Sequence, residues 1–554
     1  MVLVGFLRPK NGSNGVTHWL PSSPRMMHCA LKLVVAVLII VYFLSSASIL
    51  ILWDDMEGKS NGKTSITAQI EFRAPNLQTD SWTPHWPSLG IERENSEDGQ
   101  DGDETSSYPQ IIWRKKEFHC LGWVELDQDG DEVNQRECWE RVRGGESGFC
   151  EILNTTSGEI FRVMQTTHLS LKDEVRFTCQ LAKEFTNFRH LARTYRHDPP
   201  LTLDQNDDSS TNGIVMAVYE RVLPSAYASI RLLRFKGCRL PIELWFRHDE
   251  LSSDNPVLQE LVHAFGPIQL RTIYDERVES FYVKVHALYY SHFSNVLMLD
   301  ADNFVTRDPT FLFSSTTFTK FGAVFWPDFW HPANTIFNIH AQSLLWELLD
   351  LDYVDMMEQE SGQVLVNRVV CRSSIERLMF FATHKPNLMG KLQLAWGDKD
   401  LFRLAWLSAR QPFYFNDHRL PGSIGIVHQE RQRFCGLSMA QYDLSGKNIL
   451  FLHRNTVKLT GRMEHEKKIW HILQEFPLRS EVNSEALPAI ESFNGEKLFN
   501  EMSCFGVKRY KTASGIQMSR VSDIQHLKTI ESLILAFARQ AHTLLYPSLN
   551  STAD

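Results

Sequence analysis

Val296, Leu297, Met298 and Leu299 form an unbroken apolar run that ends in two carboxylates, Asp300 and Asp302, with Asn303 behind them. A run of strand length without polar alternation suits a strand covered on both faces, as in a parallel sheet with helices above and below. The carboxylates then mark its carboxyl end, where open α/β sheets bind their ligands. Paired hard oxygen donors there suit Mn2+ or Mg2+, ions that bridge phosphate oxygens and neutralise charge on a departing group. A polar turn after a strand has the same letters, so context decides. Arg307, Asp308 and Pro309 follow, and a second apolar run over residues 322–327 ends at Asp328, so two strand ends would supply one cleft.

Strands and helices alternate around this stretch. Residues 214–218, 242–246 and 268–273 read as strands, and 226–235, 255–265 and 280–293 as helices; Phe281, Val285, Leu288 and His292 keep helical spacing in the last. This alternation implies βαβ units and an α/β fold with a mainly parallel central sheet. Further on, helices are expected over 341–349, 373–384 and 398–409, and strands over 362–366 and 450–453, the latter ending in His453.

Few residues outside the carboxylate pair concentrate chemistry. His453, at a strand end, is a candidate third metal ligand beside Asp300 and Asp302; its competing reading is a structural histidine. Lys284 precedes the Asp-x-Asp strand on a helix, either facing a phosphate as a point charge or lying on a solvated face. Asp328 ends an apolar strand where it would meet sugar hydroxyls, with Trp326 and Trp330 available to stack on sugar rings. Asp398 and Asp400 open a helix, where an acid is either a cap or a group that positions a reacting hydroxyl. No hydrolase elbow, zinc-protease helix or P-loop motif occurs.

Taken together, Lys284-Val-His-Ala-Leu288, residues 293–303, Asp308-Pro309, Leu312-Phe313, residues 322–328, Glu360-Ser-Gly-Gln-Val364, Gly397-Asp-Lys-Asp400 and Leu452-His453 resemble the Golgi α-mannosyltransferases of glycosyltransferase family 71. The resemblance covers roughly residues 212–460. It implies a GT-A-type nucleotide-sugar transferase fold that moves mannose from GDP-mannose, with retained α configuration and an α-1,2 or α-1,3 linkage, to a mannose-ended protein glycan. Asp300, Asp302 and His453 would hold Mn2+; Lys284, Asp300, Asp302 and Asp328 would meet the donor; Asp328, Asp398 and Asp400 would serve catalysis. A retaining UDP-glucose or UDP-galactose transferase remains a second reading. A non-catalytic Golgi lectin on a transferase fold is a third.

Organisation follows from composition. Residues 33–52 carry no charge and no proline, and about 20 such residues span a bilayer's hydrocarbon core. Arg8, Lys10, Arg25 and Lys32 precede this stretch and Asp54, Asp55 and Glu57 follow it, which predicts a single-pass type II anchor with residues 1–32 in the cytosol. Residues 53–110 are too polar to fold alone and read as a disordered stem. Then come a cysteine-containing lead-in over 111–205, the catalytic domain over 206–460 and a helical C-terminal extension over 461–554, with a helix expected over 523–542. A net charge of −9 without a basic stripe argues against nucleic acid. The nine cysteines include no C-x-x-C pair, and Cys120, Cys138, Cys150 and Cys179 are expected to pair among themselves in an oxidising lumen. Asn154 and Asn550 lie in glycosylation sequons on that side.

Overall fold

The computed structural model describes residues 117–547 apart from 199–200, 202–210, 332–334, 336, 463–465, 482–489, 495–498, 500–501 and 509–514. The predicted anchor, the stem and Asn550 lie outside the described residues. Among those described, no helix is long and apolar enough to cross a membrane.

The lead-in is a four-stranded antiparallel sheet built on strands Phe118–Leu126, Glu132–Arg136, Gly148–Asn154 and Ile160–Thr166. Disulfides Cys120–Cys138 and Cys150–Cys179 fasten it, so the four cysteines pair among themselves as expected. Asn154 is buried, and its side-chain oxygen accepts from the backbone of Thr156 and Ser157 in its own turn.

The central sheet has seven strands. Asn212–Ala217, Ile242–Arg247 and Ile268–Ile273 run side by side in parallel, and Asn295–Leu299 returns to the opposite side of the first. This return makes a topological switch point between Asn212–Ala217 and Asn295–Leu299, and the crevice beyond their carboxyl ends is where such a sheet takes ligands. The Asn295–Leu299 strand is buried throughout: Leu297 and Leu299 enter one core with Val257, Leu258 and Leu261, while Val296 and Met298 enter another with Val285, Leu288 and Leu378. Its unbroken apolar run is thus explained by helices on both faces.

Some elements depart from the sequence reading. The expected short strand at 362–366 is longer, Gln359–Asn367, and runs antiparallel to both neighbours, which makes the sheet mixed. The helix expected over 280–293 is a 3-10 turn, Ser280–Tyr282, followed by Val283–Tyr290, and the one expected over 341–349 shortens to Leu345–Leu349. The largest correction concerns 461–554, read as a helical extension. Besides the helix Ile530–Leu545 it supplies strands Ile472–Glu475, Ser503–Gly506 and Gln517–Arg520 to a second, antiparallel sheet shared with Asn303–Val305, Gly422–His428, Arg433–Tyr442 and Ile449–His453. Cys435–Cys504 bonds it covalently to the preceding chain. Ile530, Ile534 and Ala538 share a core with Ala228 and Leu232 of the first crossover helix, so no boundary falls at 460.

The Val283–Tyr290 helix that delivers the chain to the Asp-x-Asp strand carries a buried imidazole, His286, against Trp245 and Tyr290. Burial pulls its pKa down to about 4 from 6.5. The unfolded chain therefore takes a proton that the folded one refuses, and stability, full above about pH 6.5, declines as pH falls toward 4. Chemical denaturation at about pH 7 and about pH 5 is expected to differ by about 2 kcal/mol more in the native chain than in His286→Leu. An equal difference in both would remove His286 as the cause.

Candidate metal and nucleotide site

The second sheet explains how a distant histidine reaches the carboxylates. Directly after Asp302 the chain pairs antiparallel with Ile449–His453 in a register that sets Asn303 opposite His453. The Arg454 amide donates to the Asp302 carbonyl at 3.0 Å. His453 Nε2 lies 3.2 Å from Asp302 Oδ1 and 3.9 Å from Asp300 Oδ2. One ligand atom from each of Asp300, Asp302 and His453 falls within 4.8 Å of the others.

Two carboxylates and an imidazole suit a divalent ion of the Mn2+ to Zn2+ series. The surroundings fit as well: His453 Nδ1 faces Glu360 Oε1 at 3.5 Å, the carboxylate–histidine arrangement that turns Nε2 toward a cation. Glu360 is itself fixed by the Gly362 amide at 2.6 Å. Burial disfavours charge on the imidazole, yet Asp302 and Glu360 outweigh it and push the pKa up to about 10. Burial likewise opposes ionisation of Asp302, and His453 and Lys458 reverse it, holding the carboxyl well below the usual range. Lys458 Nζ bonds directly to Asp302 Oδ2. Binding a cation at this carboxylate would release the imidazolium proton.

Gly362 makes the site possible. A Cβ there would lie 2.6 Å from His453 Nδ1 and 3.0 Å from Glu360 Oε1. Gly362→Ala is expected to push the imidazole off its position and weaken divalent-cation affinity by about 10- to 100-fold, as loss of a metal ligand's supporting group does. Titration of Mn2+ by calorimetry reads this directly, and affinity within twofold of native would show that the space is not needed.

The cluster borders a cavity of about 980 Å3 at the switch point. Its wall carries Tyr219, Glu220 and Arg221 beyond the first strand, Lys284, Asp300 and Asp302, then Lys458, Thr460 and Arg462 after His453, and His542 and Tyr546 from the C-terminal helix. The acids Glu220, Glu250, Asp300 and Asp302 are matched by Arg221, Lys284, Lys458 and Arg462 on this wall, so an added divalent cation leaves positive charge to spare for an anion such as a diphosphate.

Of the sequence-predicted residues, Lys284, Asp300, Asp302 and His453 converge. Lys284 is neither a solvated face nor a free cation: it is buried, with Nζ 3.0 Å from Asp300 Oδ1, 2.7 Å from Asp398 Oδ2 and 3.0 Å from Ser361 Oγ. Burial works against its charge, and Asp300 and Asp398 together restore it. Asp398 is therefore an ion-pair partner, not a helix cap. Asp328 and Asp400 are off the cavity wall, paired with Lys399 at 3.1 and 3.2 Å, and Asp400 also receives Arg403 Nε at 2.6 Å. Burial raises the Asp328 carboxyl's pKa despite Lys399. Trp326 and Trp330 are not free for sugar stacking: Trp326 is fully buried, donating to the Tyr442 carbonyl at 2.9 Å, and Trp330 packs against Phe329 and Phe505. A run that is apolar at every position gives no sign of which rings face solvent.

Arg221, Glu360, Gly362, Lys458, Arg462, His542 and Tyr546 were missed as site residues. Arg221 follows the carboxyl end of the first strand, so the rule that located Asp300 would also have found it. The others depend on pairings between segments far apart in sequence.

The geometry belongs to an α/β protein with a carboxylate–imidazole cluster, of the kind that could hold a cation, at its switch point. Residues 211–443 match the family model described as "Mannosyltransferase putative". More particularly, the chain is similar to proteins named α-1,2-mannosyltransferases. It is 34% identical to MNN21 of Candida albicans over 345 residues, 47% of this chain and 52% of that protein. To MNN23 of the same organism it is 23% identical over 49% of this chain and 50% of that one. To MNN5 of Saccharomyces cerevisiae (strain ATCC 204508 / S288c) it is 28% identical over 42% of this chain and 49% of that one. The chain thus spans about half the length of these curated relatives. Among solved structures, the mannosyltransferase Ktr4p from S. cerevisiae in complex with GDP overlaps with a TM-score of 0.27 at 11% identity, covering 43% of this chain and 78% of that one, an overlap too slight to assign anything.

Proposed function

We propose that the chain is a metal-dependent, retaining α-mannosyltransferase of GT-A type that moves mannose from GDP-mannose to a mannose-ended protein glycan, as a single-pass type II protein of the Golgi membrane. The observation that carries this reading is the convergence of Asp300, Asp302 and His453, with Asp300 and Asp302 on the wall of the switch-point cavity. The relatives' names favour an α-1,2 linkage.

In this reading Asp300, Asp302 and His453 hold Mn2+, which when bound supplies Lewis-acid neutralisation of a departing nucleoside diphosphate. Arg221, Lys458 and Arg462 add positive charge around the diphosphate from the cavity wall. Lys284, locked between Asp300 and Asp398, fixes the Asp300 side chain and keeps it ionised. Asp328, Asp398 and Asp400 act by positioning: Asp398 holds Lys284, while Asp328 and Asp400 hold Lys399, three residues after Trp396. Substrate enters a site whose charges are already placed, so little reorganisation is required.

The test is transfer by the full chain with Mn2+, a mannose-ended oligosaccharide and a panel of GDP- and UDP-sugars, followed by digestion of the product with linkage-specific α-mannosidases. Consumption of GDP-mannose alone, with an α-mannosidase-sensitive product, is the expected result. Use of a UDP-hexose would replace the donor and keep the site.

A further inference from the structure

Two of the chain's exposed large apolar side chains stand together beside the cavity. Trp396 is 62% exposed and Phe281 53%. Phe281 lies on the cavity wall, and Gly397, at φ +58°, lets the backbone after Trp396 press against its ring: a Cβ there would lie 3.0 Å from Phe281 Cγ. On the far side, Phe337 lies 6.2 Å from Trp396, centroid to centroid, with the planes 33° apart, and Lys399 caps Phe337 at 4.3 Å. Ser280, immediately before Phe281, has φ 50°, a left-handed conformation that costs a serine free energy and that turns up where function demands it.

Sequence chemistry thus builds an aromatic ledge running from the cavity wall outward, with strain and a glycine holding it in place. Large rings grouped in water beside a cavity mark a binding surface. Their flat faces suit the C–H face of a pyranose, whose hydroxyls remain free to bond at the edge. The ledge begins at Phe281, on the wall that also carries Lys284 and Asp300, so a ring stacked on it lies at the edge of that cavity.

We propose that Trp396 and Phe281 form the acceptor subsite, stacking the terminal hexopyranose rings of the glycan to be extended. The assignment rests on the transferase reading for the word acceptor; the glycan-binding ledge itself does not need turnover.

The test pairs kinetics with direct binding on the full chain. Trp396→Ala is expected to raise the KM for a mannose oligosaccharide about tenfold, to weaken binding of that oligosaccharide alone by a similar factor, and to leave GDP binding unchanged. Trp396→Phe is expected to recover most of the loss, which a merely structural role for the indole would not predict. Acceptor KM and oligosaccharide Kd both within twofold of native in a folded Trp396→Ala protein would overturn the proposal. So would protection of Trp396 by a sugar-free peptide but not by the oligosaccharide. If no nucleotide sugar is consumed yet the oligosaccharide binds the native chain and not Trp396→Ala, the ledge stands and the transferase reading falls.

Discussion

Asp302→Ala is expected to lower transfer about a thousandfold while leaving the chain folded. Asp302 is buried, and its carboxylate meets both His453 and Lys458. Losing it removes one of the three groups placed to hold a cation, and metal stabilisation of developing charge is worth several kcal/mol, or about three decades in rate. The fold survives because the imidazole left behind can shed its proton: the raised pKa of His453 depends on Asp302 itself. Lys458, partly exposed, turns to solvent. Nucleotide release and Mn2+ titration, run beside a melting curve, separate loss of the site from loss of the fold. Activity within tenfold of native in a folded variant would end the case for Asp302 as a ligand.

Lys399→Met is expected to cost about 3–5 kcal/mol of stability, because it strands buried carboxylates that share one cation. Lys399 Nζ reaches Asp328 at 3.1 Å and Asp400 at 3.2 Å, and it also bonds Glu358, which is fully buried. Burial alone would discharge the amine; Asp400, Asp328 and Glu358 keep it protonated. Methionine preserves most of the stem's volume and removes only the charge, so the loss reports electrostatics more than packing. Arg403 still serves Asp400, which leaves Asp328 and Glu358 as the groups in deficit. Adding Glu358→Gln to Lys399→Met is expected to recover part of the loss, and a double-mutant cycle by denaturant titration measures that coupling. A loss under about 1 kcal/mol would mean that water already screens this cluster.

Much of the central sheet was legible because its signals are local. Strands at 242–246 and 268–273 and the crossover helices between them announce themselves by apolar runs and spacing, and the Asp-x-Asp position follows from the rule on strand ends. His453 was reachable for the same reason. What could not be read depends on partners far away in the chain. Gly362 looks like an ordinary strand glycine until His453 is laid beside it, and Glu360 gains meaning only from Nδ1 of the same ring. Beyond the strand at 450–453, the second sheet was not read for a related reason: Gln517–Arg520 and Ser503–Gly506 are short and partly polar, and they become strands through the neighbours they meet. Lys284 and Asp398 were each found but given separate roles, because spacing reveals a charge and not the opposite charge folded against it.

We propose that Asp300, Asp302 and His453 together hold the cation that receives a nucleoside diphosphate in the switch-point cavity. Anomalous diffraction at the manganese edge, from crystals grown with Mn2+ and GDP, tests it most directly. One strong peak is expected within coordinating distance of all three side chains, with the diphosphate on the side of Arg221, Lys458 and Arg462. A peak bound elsewhere, or GDP seated in the cavity with Lys458 still on Asp302 and no metal between them, would contradict it.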